Sequence, residues 1–313
     1  MNQEQKKEIT TMLTSKVLFN EILSKHTTFG IGGPATCMVF PSDRNELKIL
    51  LQYAHQSKIP VIFIGSGSNL LICDQGYNGI VISLKKSFKK ISITANAQIK
   101  AESGVMLGTM VKKAMSEHIT GFESLIGVPG TLGGALIMNA GAFGGEISKC
   151  FDNAKMMTIK GKIKTYTKKD VDFSYRHSSF DKNEILIEAT FKCNKGNIDK
   201  INTDKLQASK SRKSNQPLKF RSAGSIFKNP SKEIAAGYLI EKAGLKGYEY
   251  GGASISKKHA NFIINLGEAK AVDVLYLINL AKSNVAKKFN INLELEVKLI
   301  GFENNQSDHI NYA

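Results

Sequence analysis

The run "GFESLIGVPGTLGGALIMNAGAFGGEI", residues 121–147, sets the tightest limit on how this chain can fold. It holds eight glycines. A glycine inside a regular element costs about 1 kcal/mol relative to alanine, so a core helix does not tolerate such density. Runs of this kind are kept where the backbone must approach something large, flat or charged. A shorter cluster, "IGSGSNLL" (64–71), follows the apolar run "VIFI" and reads as a strand leading into a turn. Its small side chains and backbone N–H groups could wrap a pyrophosphate. An ordinary tight turn explains it equally well. It is not a P-loop, because no Lys-Ser/Thr pair follows, and Leu70 stands where a third Rossmann glycine would be.

The surrounding elements alternate between helix and strand. "PSDRNELKILLQYAHQ" predicts a helix capped by Ser42 or Asp43, with Leu47, Leu50, Leu51 and Ala54 on its apolar face. Short strands are expected near 61–64, 80–84, 90–94 and 97–102, and a helix at 105–118. Residues 151–193 alternate apolar and polar, with a hairpin turn at Lys160-Gly161. A lysine-rich helix over 198–213 reads as a connector. A helix stopped by Gly244, the strand "NFIIN", the long helix "AVDVLYLINLAKSNVAKKF" and a last strand "LELEVKLIG" follow. The pattern is α+β, with a boundary near 195–215.

With 313 residues, 42% of them apolar, the chain suits two or three globular domains. Its opening stretch has no uninterrupted apolar core, so no signal peptide is expected. No run approaches the length of a membrane span, so neither is membrane insertion. Cys37, Cys73, Cys150 and Cys193 are scattered and form no CxxC pair, which argues against a disulfide framework and a zinc site. A cytoplasmic setting follows. The formal charge of +16 is nearly all lysine in small groups, with no nucleic-acid-binding pattern beside it. It suits a solvated surface, or attraction of polyanionic small molecules such as nucleotides. The four arginines are Arg44, Arg176, Arg212 and Arg221. Where lysine is the default cation, an arginine is kept for its planar fork.

"RSAGSIFKNP" (221–230) poses the chemical question. Ser225 follows an Ala-Gly pair that lets the backbone come close to a ligand. No histidine lies within twenty residues of it, so it has no local partner of the kind a nucleophilic serine needs.

In order along the chain stand "HTTFGIGGPA", "IGSGSNLL", "GVPGTLGGALIMNAGAFGGE", "FSYRHS", "AGSIFKNP", "KKHANFIIN" and "LELEVKLIG". This series resembles the UDP-N-acetylenolpyruvoylglucosamine reductase family from about Lys25 to Gly301. The resemblance implies a vanillyl-alcohol-oxidase (PCMH-type) FAD-binding domain of two subdomains and a C-terminal α+β substrate-binding domain. The divisions are 1–25, an N-terminal helical segment; 26–84 and 85–197, the FAD-binding subdomains; and 198–313, the substrate-binding domain. The compact chain between "FSYRHS" and "AGSIFKNP" matches the shorter branch of the family, which lacks a tyrosine-bearing loop. The implied chemistry is reduction of an enolpyruvyl ether to a lactyl ether, with non-covalent FAD, NADPH as reductant and UDP-N-acetylglucosamine enolpyruvate as substrate. A monomer that binds no nucleic acid is expected.

The resemblance also assigns roles. Arg176, Ser225 and Glu296 match the catalytic positions: carboxylate holder, proton donor to the α-carbon, and orienting acid. Strand alternation alone puts Glu294 and Glu296 on one face and does not choose between them. Cofactor contacts are expected from Gly65, Ser66, Gly67, Ser68, Asn69 and Leu70 of the first glycine cluster. The second is expected to supply Gly130, Thr131, Gly134, Asn139, Ala140 and Gly141, with Arg212 from the connector helix. Tyr175, Lys228, Asn229 and His259 are expected to contact substrate. Asn215 and Ser254 depart from the pattern, standing where the family has lysine and glutamine, and Lys213 is a candidate substitute for the lysine. A rival expectation is another oxidase on the same scaffold, some of which tether flavin through a cysteine or histidine near the phosphate loop; Cys73 is the nearest here.

Overall fold

The computed structural model describes residues 1–302. Residues 303–313, the end of the expected fourth segment, lie outside the described residues. Helix α1 (Gln3–Met12) starts at a reciprocal cap: the Gln5 N–H donates to the Asn2 side chain, and the Asn2 N–H donates to Gln5 Oε1. The helical expectation for the N-terminal segment ends there. Strand β1 (Val17–Ile22) pairs antiparallel with β2 (Pro34–Val39) and joins the first sheet. Its residues are only partly buried, so no clean apolar alternation marks it in the sequence. Next come α2 (Arg44–Gln56), β3 (Val61–Phe63), β4 (Leu70–Ile72) and β5 (Tyr77–Ile82). The sheet order is β1-β2-β5-β3, with β2, β5 and β3 parallel. Asp43 is the cap of α2, accepting from the Asn45 and Glu46 N–H groups, whereas Ser42 donates its own N–H and hydroxyl to Glu46. Leu47, Leu50, Leu51 and Ala54 are buried, as the helix periodicity requires.

The middle of the chain supplies β6 (Ile91–Ile93), β7 (Gln98–Glu102), α3 (Leu107–Ser116) and β8 (Ile119–Thr120). The second glycine run then forms α4 (Leu132–Ile137), followed by the tight pair β9 (Gly141–Ala142) and β10 (Gly145–Glu146). A short helix does therefore form inside the run, with Gly133 and Gly134 in it. At Gly133 an added Cβ would lie 3.3 Å from Ser103 atoms, so the glycine lets this helix lie against the neighbouring backbone. Strands β11 (Phe151–Thr158), β12 (Ile163–Thr167), β13 (Phe173–Ser174), β14 (His177–Ser178), β15 (Glu184–Lys192) and β16 (Asn194–Lys195) complete this part. The main sheet is antiparallel, in the order β12-β11-β15-β7-β6. One core, with α3 and α4, contains Leu186, Ala189 and Phe191 of β15; another, with α2, contains Ile185 and Ile187.

Helix α5 (Ile198–Asn215) leads into the last part, comprising α6 (Ala236–Lys242), β17 (Glu249–Tyr250), β18 (Ala253–Ile255), β19 (Ile263–Asn265), α7 (Ala271–Phe289) and β20 (Lys298–Ile300). Strands β17, β18 and β19 form an antiparallel sheet whose core includes α6 and α7. Asp74, between β4 and β5, caps α7 by accepting from the Ala271 N–H at 2.9 Å and the Val272 N–H at 3.2 Å. The last strand is shorter than its apolar alternation suggests. Only Lys298–Ile300 pairs as a strand, in parallel with β4. Residues 294–296 instead bond to the chain around Ile226–Lys228.

An ion cluster couples the first two parts. Glu188 of β15 is buried and accepts from Arg44 Nη2 at 2.6 Å; Lys100 and Lys155 Nζ each lie 3.1 Å away. Burial works against its ionisation, but Lys155, Lys100 and Arg44 outweigh it and hold the carboxyl down to about 2. A depressed pKa contributes stability that is present above the unfolded value near ~4.3 and lost as pH falls through the folded one. Glu188→Gln should therefore lose about 2 kcal/mol at neutral pH, allowing for screening of the half-exposed cations. Its urea midpoint should also fall less than the wild type's on acidification from about pH 5 towards 2. A wild-type midpoint for the variant at neutral pH would refute this.

Candidate functional site

Between the three parts lies a cavity of about 500 Å³. Both glycine clusters form its walls. Ser68 Oγ donates to the Pro129 carbonyl at 3.2 Å and ties the two loops together. Two of the glycines are needed by the fold itself. A Cβ on Gly65 would collide with Thr131 Oγ1, and one on Gly67 with the His26 carbonyl oxygen. Gly67 also has φ +65, a conformation that side chains rarely adopt. The "GSGSN" segment is thus a tight turn by packing and a cavity wall by position.

Twelve of the thirteen residues expected to touch the cofactor line this cavity, namely Gly65 to Leu70, Gly130, Thr131, Gly134, Ala140, Gly141 and Arg212. Asn139 does not. It is fully buried beneath the wall, where its Nδ2 donates to the Ser174 carbonyl at 2.9 Å and to Glu146 at 3.2 Å, and its Oδ1 accepts from the Ser148 N–H. Its amide pins the loop and has little capacity left for a ligand.

Arg176, Ser225 and Glu296, far apart in sequence, lie on the same cavity. Arg176 sits in the two-residue turn between β13 and β14 at φ +56, a strain of about 1 kcal/mol for a residue with a side chain. Its Nε donates to Glu296 Oε1 at 2.7 Å, and its guanidinium lies 4.8 Å from the centre of the Tyr175 ring. Burial raises the Glu296 carboxyl above its ordinary value, and Arg176 opposes that shift. Glu294 points elsewhere: its side chain is mostly exposed and lies 3.4 Å from Lys228 Nζ. Ser225 follows Gly224, which has φ +79 and open space where a Cβ would stand. Among the described residues nothing hydrogen-bonds to the Ser225 hydroxyl.

The residues expected at the substrate lie off this cavity's wall. The Tyr175 hydroxyl accepts from the Asn229 N–H at 3.4 Å, and Asn229 Oδ1 accepts from the Ala236 N–H at the start of α6. His259 packs edge-on against Phe262 and accepts from the Asn261 N–H through Nδ1, while burial lowers its pKa. That is the geometry of a structural histidine. Ser254 is buried in β18, and the Lys213 carbonyl accepts from Lys258 Nζ. Cys73 is also buried, with its thiol donating to the Gly76 carbonyl at 3.1 Å. Sequence reasoning missed Thr28, Phe143, Gln216, Phe220 and Lys298 on the cavity wall. Thr28 lay in the "HTTFGIGG" motif, Phe143 in the "NAGAFGGE" end of the glycine run and Lys298 in alternation with Glu296, whereas Gln216 and Phe220 carried no signal.

Comparison with known proteins gives this arrangement a family. A model of the UDP-N-acetylenolpyruvoylglucosamine reductase C-terminal domain matches residues 216–300, and an FAD binding domain model matches residues 35–167. The UDP-N-acetylenolpyruvoylglucosamine reductase of Carboxydothermus hydrogenoformans is 40% identical over 95% of this chain and 98% of its own length. The chain belongs to the UDP-N-acetylenolpyruvoylglucosamine reductase family. The reductase of Lachnoclostridium phytofermentans is 42% identical over 92% of this chain and 94% of its own. The crystal structure of the Thermus caldophilus reductase superposes with a TM-score of 0.78 at 32% identity, covering 92% of this chain and 99% of that one.

The cavity of this reductase-family chain suits the FAD its family model implies. Arg212 is about nine-tenths buried on the wall, with Nη1 donating to Gln216 Oε1 at 3.1 Å. Its Nε and the Ser66 hydroxyl are buried without a hydrogen-bond partner. No carboxylate pairs with the guanidinium among the described residues. Unmatched donors beside a fixed positive charge fit a diphosphate. An adjoining apolar slot, with Phe63, Ile82 and Leu84, shares Gly65, Thr131, Gly134 and Met138 with the cavity.

The glycine packing yields a direct test. Gly67→Ala should cost roughly 2–3 kcal/mol, because the added methyl meets backbone and φ is positive. Gly108→Ala, in α3 with open space around its Cβ, should be neutral or stabilising by up to about 1 kcal/mol. Urea midpoints of the pair check this; equal effects would show that the close approach at Gly67 is unimportant.

Proposed function

We infer that this chain reduces the enolpyruvyl ether of UDP-N-acetylglucosamine enolpyruvate to the lactyl ether of UDP-N-acetylmuramate, with FAD as cofactor and NADPH as reductant. The reaction belongs to peptidoglycan precursor synthesis. The observation that carries the site assignment is the meeting of Arg176, Ser225 and Glu296 on one glycine-walled cavity. The four divisions at 1–25, 26–84, 85–197 and 198–313 remain our reading of its organisation. We read it as a monomer acting in the cytoplasm, where NADPH and a nucleotide sugar meet. The burial of Cys73 away from the cavity wall disfavours a tethered-flavin oxidase.

FAD, if bound here, would supply the hydride chemistry, with NADPH as its reductant and the vinyl β-carbon of the substrate as the acceptor. Ser66 and Arg212 are assigned to its diphosphate, with the other glycine-loop residues shaping the wall. Negative charge then gathers on the α-carbon and the adjoining carboxylate. Arg176 is assigned to that carboxylate: Glu296 occupies its Nε, leaving the Nη pair free for a bidentate contact. Ser225 is assigned as the acid that protonates the α-carbon. A serine hydroxyl is a weak acid, but a carbanion is a strongly basic acceptor and neighbouring cations stabilise the alkoxide. Lys228 and Asn229, with Tyr175 behind them, are assigned to substrate anionic groups at the rim.

The overall reading is tested anaerobically: the protein is reduced with NADPH, UDP-N-acetylglucosamine enolpyruvate is added, and flavin absorbance is followed. Absorbance should return; its failure to do so refutes the function. Ser225→Ala should be reduced by NADPH at about the wild-type rate and be reoxidised by substrate roughly 10²–10⁴-fold more slowly. Equal losses in both halves would instead place Ser225 at the flavin. Arg176→Lys cannot offer a planar fork, so its reoxidation at saturating substrate should slow by roughly 10²–10³-fold. Reduction by NADPH should change far less, because no enolate forms in that half. Wild-type reoxidation would make Arg176 a structural residue.

A further inference from the structure

Residues 226–228, just after Ser225, lie between two other stretches of chain. On one edge the Lys228 N–H donates to the Glu294 carbonyl at 2.9 Å, and the Glu296 N–H donates to the Ile226 carbonyl at 2.8 Å. On the other edge Ser225 bridges to Phe262, and the Ile226 N–H donates to the Asn261 carbonyl at 2.8 Å. Phe227 meets a side chain. Its N–H donates to Asn261 Oδ1 at 2.9 Å, and its carbonyl accepts from Asn261 Nδ2 at 2.8 Å. The Asn261 amide thus presents the acceptor and donor that a neighbouring strand would. Asn261 and Phe227 are both almost fully buried, so water does not compete for these bonds.

The Ser225 hydroxyl has no partner of its own among the described residues. Its location is therefore inherited from its backbone, and the adjoining peptides are fixed by Asn261 on one side and by Glu296 on the other. We propose that Asn261 is a positioning residue for the proton transfer: by clamping Phe227 it sets where the Ser225 hydroxyl stands relative to the Arg176–Glu296 pair. This rests on the reading of Ser225 as proton donor. A small displacement matters in such a step, since roughly 1 Å can cost about 10²-fold.

The variant Asn261→Asp tests the clamp through pH. A protonated aspartic acid carries one acceptor and one O–H donor and can replace the amide against both Phe227 groups. An ionised one sets a negative oxygen against the Phe227 carbonyl. Burial and that carbonyl both raise the new carboxyl's pKa. Flavin reoxidation by substrate in Asn261→Asp should therefore approach the wild-type rate near pH ~5 and fall by roughly 10- to 100-fold towards pH ~8. NADPH reduction, measured on the same samples, should not follow that profile. Asn261→Ala, which leaves both Phe227 groups unpaired, should be slow in reoxidation at every pH and show a larger solvent isotope effect there. If reoxidation relative to wild type is flat with pH while the urea midpoints of the variants fall, Asn261 only holds the fold and the proposal is overturned. If Ser225→Ala reoxidises at the wild-type rate, the proton-donor reading fails first, and the inference with it.

Discussion

The parallel pairing of β20 with β4 is the contact on which the candidate site depends. It joins two stretches more than two hundred residues apart and places the end of one glycine loop beside the strand that begins at Lys298, two residues after Glu296. Side-chain and backbone bonds extend the seam: Asn69 Nδ2 donates to the Glu296 carbonyl, and the Lys298 N–H donates to the Asn69 carbonyl. The residues assigned to flavin and to proton chemistry therefore share a hydrogen-bonded frame. Asp74 reinforces it by capping α7 just beyond β4. Without this seam the cavity would lose one wall.

Within that frame the charges are arranged at some cost to stability. Burial of Glu296 disfavours its ionised form, and Arg176 offsets this only in part while held in a left-handed turn. Arg212 is buried with no acidic partner among the described residues. A chain selected for stability alone would replace such groups with apolar ones. Unpaired or half-paired cations around one cavity are instead what anionic ligands require, and they give the general excess of lysine a local meaning.

Much of the fold was legible because its signals are local. The apolar stripe and cap fixed α2, α7 emerged with its full length, and Lys160-Gly161 marked the turn between β11 and β12. The glycine clusters correctly implied close approach, although Gly65 and Gly67 are pressed against their own chain as well as lining the cavity. What escaped is non-local. Strand alternation cannot separate Glu294 from Glu296, since the choice is made by where the β13–β14 turn sets Arg176. Asn139 reads as a loop asparagine facing a ligand, yet Glu146 and Ser148 of the turn that follows and Ser174 from β13 consume its amide. The β1 strand is a half-buried edge whose pairing partner comes after a loop, so its composition alone resembles a continuation of α1.

The seam between β4 and β20 also bears on how the protein is made. The loops that would cradle the flavin diphosphate, and Arg212 opposite them, leave the ribosome well before Glu296 and Lys298 do. A nascent chain synthesised only as far as α6 has no strand to lie along β4. Nor has it α7, whose first turn Asp74 caps. The walls of the cavity are consequently all present only once the last strand has been made.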